Sequence, residues 1–337
     1  MIGCGPTSKP PRLASSAGSV ISGTDDDGAT AEVDVSATES GQWPRITVVT
    51  PSYNQGRFLP ACMRSVLDQK YPNLEYIVID GGSTDGSVGI ISSFEKELAY
   101  WLSEPDGGQY DALNKGFRRA TGDILAWLNS DDMYAPWTLR VVASIFEALP
   151  AVDWISTLYP LFWDATDLPR FCAELPGFDR WDVLRRGVGV QQESTFWRRS
   201  LWERTGARLD TRFTLAADLD LWARFWEYAR LYGVAVPLGG IRVHEAQRHV
   251  LHEQQYRAEA ASILERYEDH VGGPATRVLI TMHAVLPRRL RRFLTRFGIP
   301  YHHDRRPQMI TKWSGTWTTS PVARPRVWRR GIPARSA

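Results

Sequence analysis

From residue 46 onward, short apolar runs alternate with stretches whose apolar residues recur at helical spacing. Ile46-Thr47-Val48-Val49-Thr50 is β-branched and stopped by Pro51, which predicts a buried strand. Phe58 to Gln69 carries Phe58, Cys62 and Val66 on one side and stops before Tyr71-Pro72, which predicts a helix. Tyr76 to Asp80 reads as a second strand, Ser87 to Leu98 as a helix and Tyr100 to Leu102 as a weaker strand. Asp111 to Ala120 follows as a helix and Ile124 to Leu128 as a third strong strand. Beyond Pro136 the pattern predicts a helix over Trp137 to Leu149, an aromatic strand region over Trp154 to Phe162 and a loop over Pro169 to Pro176. Gln191 to Arg198 is extended, Leu201 to Gly206 a short helix and Asp218 to Arg230 a longer one. A strand at Val234 to Val236, followed by Gly239-Gly240, and a helix from Glu253 to about His270 complete the pattern. Strands alternating with helices in this way predict a parallel sheet with right-handed crossovers, whose sites lie at the strands' C-terminal ends.

Composition adds flanks to this domain. Residues 1–43 are rich in Ser, Gly, Thr and Asp and hold few large apolar side chains, so a disordered N-terminal segment is expected there. The globular domain then runs over 44–270 and a basic tail over 271–337. The net charge of +2 hides an asymmetry: from Leu286 to Ala337 there are thirteen Lys and Arg against one acid, Asp304. Arg288, Arg289, Arg291, Arg292 and Arg296 interleave with Leu290, Phe293, Leu294 and Phe297. A helix through them suits an anionic membrane surface, and a solvated basic tail fits the composition equally well. Three scattered cysteines argue against a disulfide scaffold and against a zinc site. No apolar run approaches the about 20 residues of a spanning helix, and no secretory signal is evident. A cytoplasmic protein with peripheral contact at the inner face of the membrane is the expectation, with no nucleic-acid partner.

The chemistry is concentrated where the strands end. Ile124 to Leu128 drives into Asn129-Ser130-Asp131-Asp132, two adjacent carboxylates at a sheet rim. Like charges side by side need a cation or strong donors, and a divalent metal clamping a diphosphate satisfies that need. Three further clusters precede it on the same rim: Thr50 to Asn54, Asp80 to Gly86, and Glu104 to Gly116. Singly, each is a common Gly-rich acidic turn.

Their succession resembles the inverting, family-2-type glycosyltransferases of the GT-A fold. "TPSYN", "VIDGGSTDGS", "SEPDGGQYDALNKGF" and "LNSDD" stand here nearly as that family writes them. The resemblance implies an α/β, GT-A (nucleotide-diphospho-sugar transferase) fold with a mostly parallel central sheet flanked by helices. It implies a donor pocket in which Thr50, Pro51 and Tyr53 flank the nucleobase and ribose, and Asp80 accepts from the base. Asp106, Gln109, Asn114 and Lys115 would line the ribose, diphosphate and sugar. Asp131 would face the ribose and sugar, and Asp132 the Mn²⁺ or Mg²⁺ ion. A lysine such as Lys115 on a helix is as often a plain surface residue.

Leu215 to Trp222 resembles the acidic stretch that supplies the family's catalytic base. Asp218 matches the base position, although Ala217 stands where the family usually has Glu. An Asp at a helix start is also common capping chemistry. Gln192, Glu193 and Trp222 are expected on the acceptor side, and Trp197 and Trp222 are the tryptophans best placed to stack on a sugar. His244, in Arg242-Val243-His244-Glu245, would complete metal or diphosphate binding. The expected activity is metal-assisted, inverting transfer of a sugar from a nucleotide-diphosphate-sugar to a saccharide or lipid-linked acceptor. Two other readings share the sheet: a sugar-1-phosphate nucleotidyltransferase, which wants an Arg- and Lys-bearing phosphate loop that Pro51 to Arg57 does not supply, and a non-catalytic binder of nucleotide sugar or nucleic acid, which has no use for a base.

Overall fold

The alternation resolves into two sheets. The computed structural model describes residues 43–175, 177–178, 183, 189–245, 247, 251–267 and 307–322. The N-terminal segment to residue 42 and the Arg-rich stretch 288–297 lie outside the described residues.

In chain order the first half comprises β1 (Ile46–Ser52), α1 (Leu59–Leu67), β2 (Leu74–Asp80), α2 (Ser87–Ser93), β3 (Tyr100–Ser103), α3 (Gln109–Phe117), β4 (Ile124–Trp127), β5 (Met133–Tyr134) and α4 (Thr138–Ala148). The second half continues with β6 (Trp154–Thr157), β7 (Leu161–Trp163), β8 (Pro169–Cys172), β9 (Thr195–Arg198), α5 (Arg199–Arg204), α6 (Ala217–Tyr228), β10 (Leu231–Val234), β11 (Gly239–Arg242), α7 (Glu253–Tyr267), β12 (Gln308–Trp313) and β13 (Thr316–Pro321).

The main sheet has the order β13-β12-β10-β6-β9-β4-β1-β2-β3, and a small second sheet has the order β5-β11-β7-β8. Within the main sheet β1 pairs parallel with β2 and β4, while β9 runs antiparallel between β4 and β6. The expected mostly parallel α/β architecture is therefore present. β1 is buried along its whole length because both faces are covered, as continuous apolar parallel strands require. Ile46 and Val48 pack toward Leu59, Cys62 and Val142 on one face. Val49 packs toward Leu113, Phe117 and Trp127 on the other. Gly116 permits this second contact, since a Cβ there would stand 2.4 Å from a Val49 methyl.

Three parts of the sequence reading need correction. The expected loop over Pro169 to Pro176 begins instead with β8, whose first residue is a proline that needs no ladder donor; Phe171 stacks on Phe162 at 4.4 Å. The strand expected at Val234 to Val236 lies earlier, as β10 over Leu231–Val234, and Gly239-Gly240 behind it opens β11, where a Cβ on Gly240 would meet the Leu161 carbonyl oxygen at 2.2 Å. Within the supposed tail, Gln308–Pro321 forms a hairpin whose first strand pairs with β10. Its turn, Ser314-Gly315, has positive φ at both residues, as a two-residue hairpin turn of this kind needs. Ile310 and Trp317 are buried, and the Trp317 indole donates to Ser144 on α4 at 3.0 Å.

Candidate active site

The C-terminal ends of β1, β2 and β4 share one rim, because Ser52 pairs with Asp80 and Val49 with Trp127. Tyr53, just past β1, is 64% exposed there. Thr50 points inward, its hydroxyl 3.0 Å from that of Tyr76, and Pro51 is buried beside it. The backbone at this position, not the Thr50 side chain, therefore borders the rim.

Asp80 is fully buried, and four donors hold its carboxylate. Gly82 and Ser83 donate backbone N–H, and the Ser83 and Ser103 hydroxyls add bonds of 2.5 and 2.8 Å. Those bonds fold the Gly81-Gly82-Ser83 turn over the strand end. Asp106 lies directly against Gly81, where a Cβ would come within 2.9 Å of its carboxylate. Its carboxyl is raised by burial, although the Gly108 N–H opposes this.

Gln109, at the start of α3, donates to Asn129 at 2.7 Å, and Asn129 in turn donates to Asp132 at 3.3 Å. Lys115 is held by Glu104 at 2.9 Å and Asp111 at 3.6 Å. Asn114 departs from expectation: its amide brackets the backbone of Leu209 at 2.9 and 2.8 Å, so both polar ends are committed to a loop rather than to the donor pocket.

Asp132 is 5% exposed and receives the backbone N–H of Arg242 at 3.1 Å. Burial, then the neighbouring Asp131 and Glu193 carboxylates, push its carboxyl well above the usual range. Asp131 lies 3.1 Å from His244 Nε2, and the His244 ring tilts against Phe58 at 4.6 Å. Arg242 is wholly buried, with its guanidinium 4.7 Å from the Phe58 ring and paired with Asp167 at 2.6 Å. A cavity of about 760 Å³ opens beside His244, bordered by Asn54, Arg57, Phe58, Asp164 and Arg170. Among the described residues no three His, Cys, Asp or Glu side chains are already arranged as a metal site. The donor set nonetheless fits a hard divalent ion, since Asp132 is a buried carboxylate crowded by two others.

On the other side of β4, Gln192 and Glu193 lie on a 3₁₀ turn before β9. Gln192 donates to the Trp127 carbonyl at 2.8 Å. Glu193 is 2% exposed, and burial pushes its carboxyl up to about 7. It acts electrostatically on Asp132, a closeness to the acid pair that sequence spacing did not reveal. Trp222 and Trp197 are corrected from sugar platforms to core residues. Trp222 stacks on Trp127 at 5.7 Å and on Trp154 at 5.6 Å, so its faces are already covered, and Trp197 is fully buried beside them.

Asp218 sits in the first turn of α6, half-buried, and accepts from the adjacent Leu219 N–H at 2.8 Å. Burial pushes its carboxyl up to about 6. A carboxylate raised in this way is suited to taking a proton near neutrality. Asp220, two residues on, is bound by Arg224 at 3.0 Å and Arg266 at 3.4 Å and is unsuited to that task. Sequence reasoning named His244 but passed over Arg242, although both lie in one short segment.

The model of the "Glycosyl transferase family 2" family matches residues 47–205. A PGL/p-HBAD biosynthesis glycosyltransferase of Mycobacterium bovis is 38% identical over 187 residues, covering 52% of this chain and 68% of that protein. An uncharacterized glycosyltransferase of Mycobacterium tuberculosis is 37% identical over 179 residues, covering 52% of this chain and 67% of that protein. The crystal structure of S. aureus TarS 1–349 in complex with UDP-GlcNAc aligns with a TM-score of 0.51 at 16% identity. That alignment covers 61% of this chain and 60% of the TarS chain, a likeness in fold.

Proposed function

The chain belongs to glycosyl transferase family 2 and is a glycosyltransferase of the GT-A fold, and from that premise we propose that it moves a sugar, with inversion, from a nucleotide-diphosphate-sugar to an acceptor hydroxyl. The observation that carries this reading is the pairing of a buried acid, Asp132, beside Asp131 and His244 on one rim with a separate, elevated carboxylate at Asp218. The first set suits a diphosphate leaving group, and the second suits a proton acceptor.

In this reading the exposed Tyr53 ring covers one face of the nucleobase, and Asp80 and Asp106 shape the turn that receives the ribose. Asp80 acts mainly by folding that turn, given its four protein donors. Gln109 and Asn129 orient Asp132. A divalent ion, Mn²⁺ or Mg²⁺, held by Asp132 with Asp131 and His244, would supply neutralising charge for the diphosphate. The acceptor oxygen attacks the anomeric carbon from the side opposite the diphosphate. The carbon–oxygen bond to the diphosphate breaks, nucleotide diphosphate leaves, and the hydroxyl proton passes to Asp218. Gln192 and Glu193 border the acceptor side.

The acceptor in this proposal is a saccharide or lipid-linked precursor, supported by the relative named for PGL/p-HBAD biosynthesis. No helix among the described residues is long and apolar enough to cross a membrane. Peripheral contact at the cytoplasmic face is assigned to the Arg-rich stretch 288–297, and charge reversal at Arg288, Arg289, Arg291 and Arg292 should abolish sedimentation with anionic vesicles. The deciding experiment measures nucleotide diphosphate release from UDP-, GDP- and dTDP-sugars with Mn²⁺ or EDTA. Metal-dependent release from one donor, lost in Asp132→Ala and Asp218→Asn, is the expected result. Release that is indifferent to EDTA and to both substitutions would overturn the site assignment.

A further inference from the structure

Helix α6 begins without a cap of its own. Ala216 occupies the N-cap position and offers no side-chain acceptor, and Ala217 stands first in the helix. Left unmet, the N-cap amide of Ala216 and those of Thr214 and Leu215 just before it would cost free energy and leave the entry to the helix loose. They are met from α7. The Glu259 carboxylate accepts from the N–H groups of Thr214, Leu215 and Ala216 at 3.0, 2.9 and 3.0 Å, and from the Thr214 hydroxyl at 2.8 Å. Gln255, one turn earlier on α7, donates to both the Thr214 hydroxyl and Glu259, at 2.7 and 3.1 Å. The acid arrives from 43 to 45 residues further along the chain. Ile263 and Tyr267, both buried, seat α7 against the core and fix its height over α6.

We propose that Glu259 is a positioning residue for transfer: by capping the amino end of α6 from α7, it fixes the turn that presents Asp218 to the acceptor hydroxyl. It supplies a carboxylate to the turn where the family's usual first acid is replaced by Ala217. This inference rests on the assignment of Asp218 as base. Facing the start of α6 from α7 are Tyr256 and Glu259, whereas Arg266 and Tyr267 lie toward Asp220. On α5, Arg199 is turned to the carbonyls of Ala120 and Gly122 and Arg204 to Asp153. The charge of Glu259 adds to burial in raising the Asp218 carboxyl.

The test compares Glu259→Gln and Glu259→Ala with Asp218→Asn and with Glu75→Gln, which removes bonds to Thr47 and Thr121 that are no part of this turn. Expected for Glu259→Gln is a kcat lowered roughly 10- to 100-fold with donor KM unchanged, since small misplacements of a reacting group cost this much. The acidic limb of its pH profile should also move to lower pH, while Glu75→Gln lowers only the melting temperature. Glu259→Ala should show the larger loss. If Asp218→Asn is inactive but Glu259→Gln keeps wild-type kcat and an unshifted limb, this proposal alone is overturned. If Asp218→Asn keeps wild-type turnover, the base assignment fails and the proposal falls with it.

Discussion

The Nε2 of His244 lies 3.1 Å from Oδ2 of Asp131 across a sequence separation of 113 residues, so the segment after β11 ties down the acid pair presented beyond β4. Replacing His244 by Ala should leave the fold intact and weaken Mn²⁺ activation roughly 10- to 100-fold, since it removes both a proposed holder of the ion and the contact that orients Asp131. A Mn²⁺ titration of nucleotide diphosphate release measures this. Saturating metal should restore most of the rate.

Gly240 governs that same segment. Gly240→Ala drives a Cβ onto the Leu161 carbonyl and breaks the β11–β7 register. The cost should be about 1–3 kcal/mol in denaturant unfolding, as for other overpacked sites. Arg242 and His244 move with the strand, so Mn²⁺ activation should weaken together with stability.

Asp218 sets a pH boundary. A base works only when deprotonated, and its carboxyl is pushed up to about 6, so kcat/KM should fall as pH drops through that value and level off above it. Asp218→Asn removes the acceptor of the proton and should lower kcat by about 10²–10⁴-fold at every pH. Rates measured from pH 5 to 8 on both proteins distinguish a missing base from a collapsed site, since donor KM should hardly change.

Glu75 offers a contrasting test at the opposite rim of the sheet. It is 5% exposed and accepts from the Thr47 and Thr121 hydroxyls, the Thr121 N–H and Arg45. Burial opposes its ionisation, but these bonds outweigh it and hold the carboxyl below its ordinary value. A folded value below the unfolded one means that the stabilisation is present above about pH 4.3 and is lost as pH falls through the folded value. Glu75→Gln should therefore cost about 1–3 kcal/mol at pH 7 and far less in acid, with turnover per folded molecule unchanged.

The donor half of the fold was legible because strand period, helix period and turn chemistry agree from Ile46 to Asp132. Each apolar run there ends at a Gly- or Asp-rich turn, which places the acids on one rim without any long-range knowledge. The second half was less legible for physical reasons. Trp197 and Trp222 have the same side chain whether they face a sugar or another tryptophan, and only the packing of Trp127 and Trp154 against them decides. Asn114 and Leu209 meet through tertiary bonds that leave no local pattern. Glu259 looks like any exposed glutamate on an amphipathic helix until the chain brings it to Thr214.

The hairpin from Gln308 to Pro321 changes how the basic end of the chain can be handled. Because β12 pairs with β10, a chain shortened before residue 308 would uncover the β10 edge, and a row of unpaired backbone groups invites other chains to add to it. Such a truncated protein should self-associate whatever its affinity for lipid. The arginines preceding the hairpin are therefore neutralised one side chain at a time, with the closing strands kept in place as the clasp of the sheet.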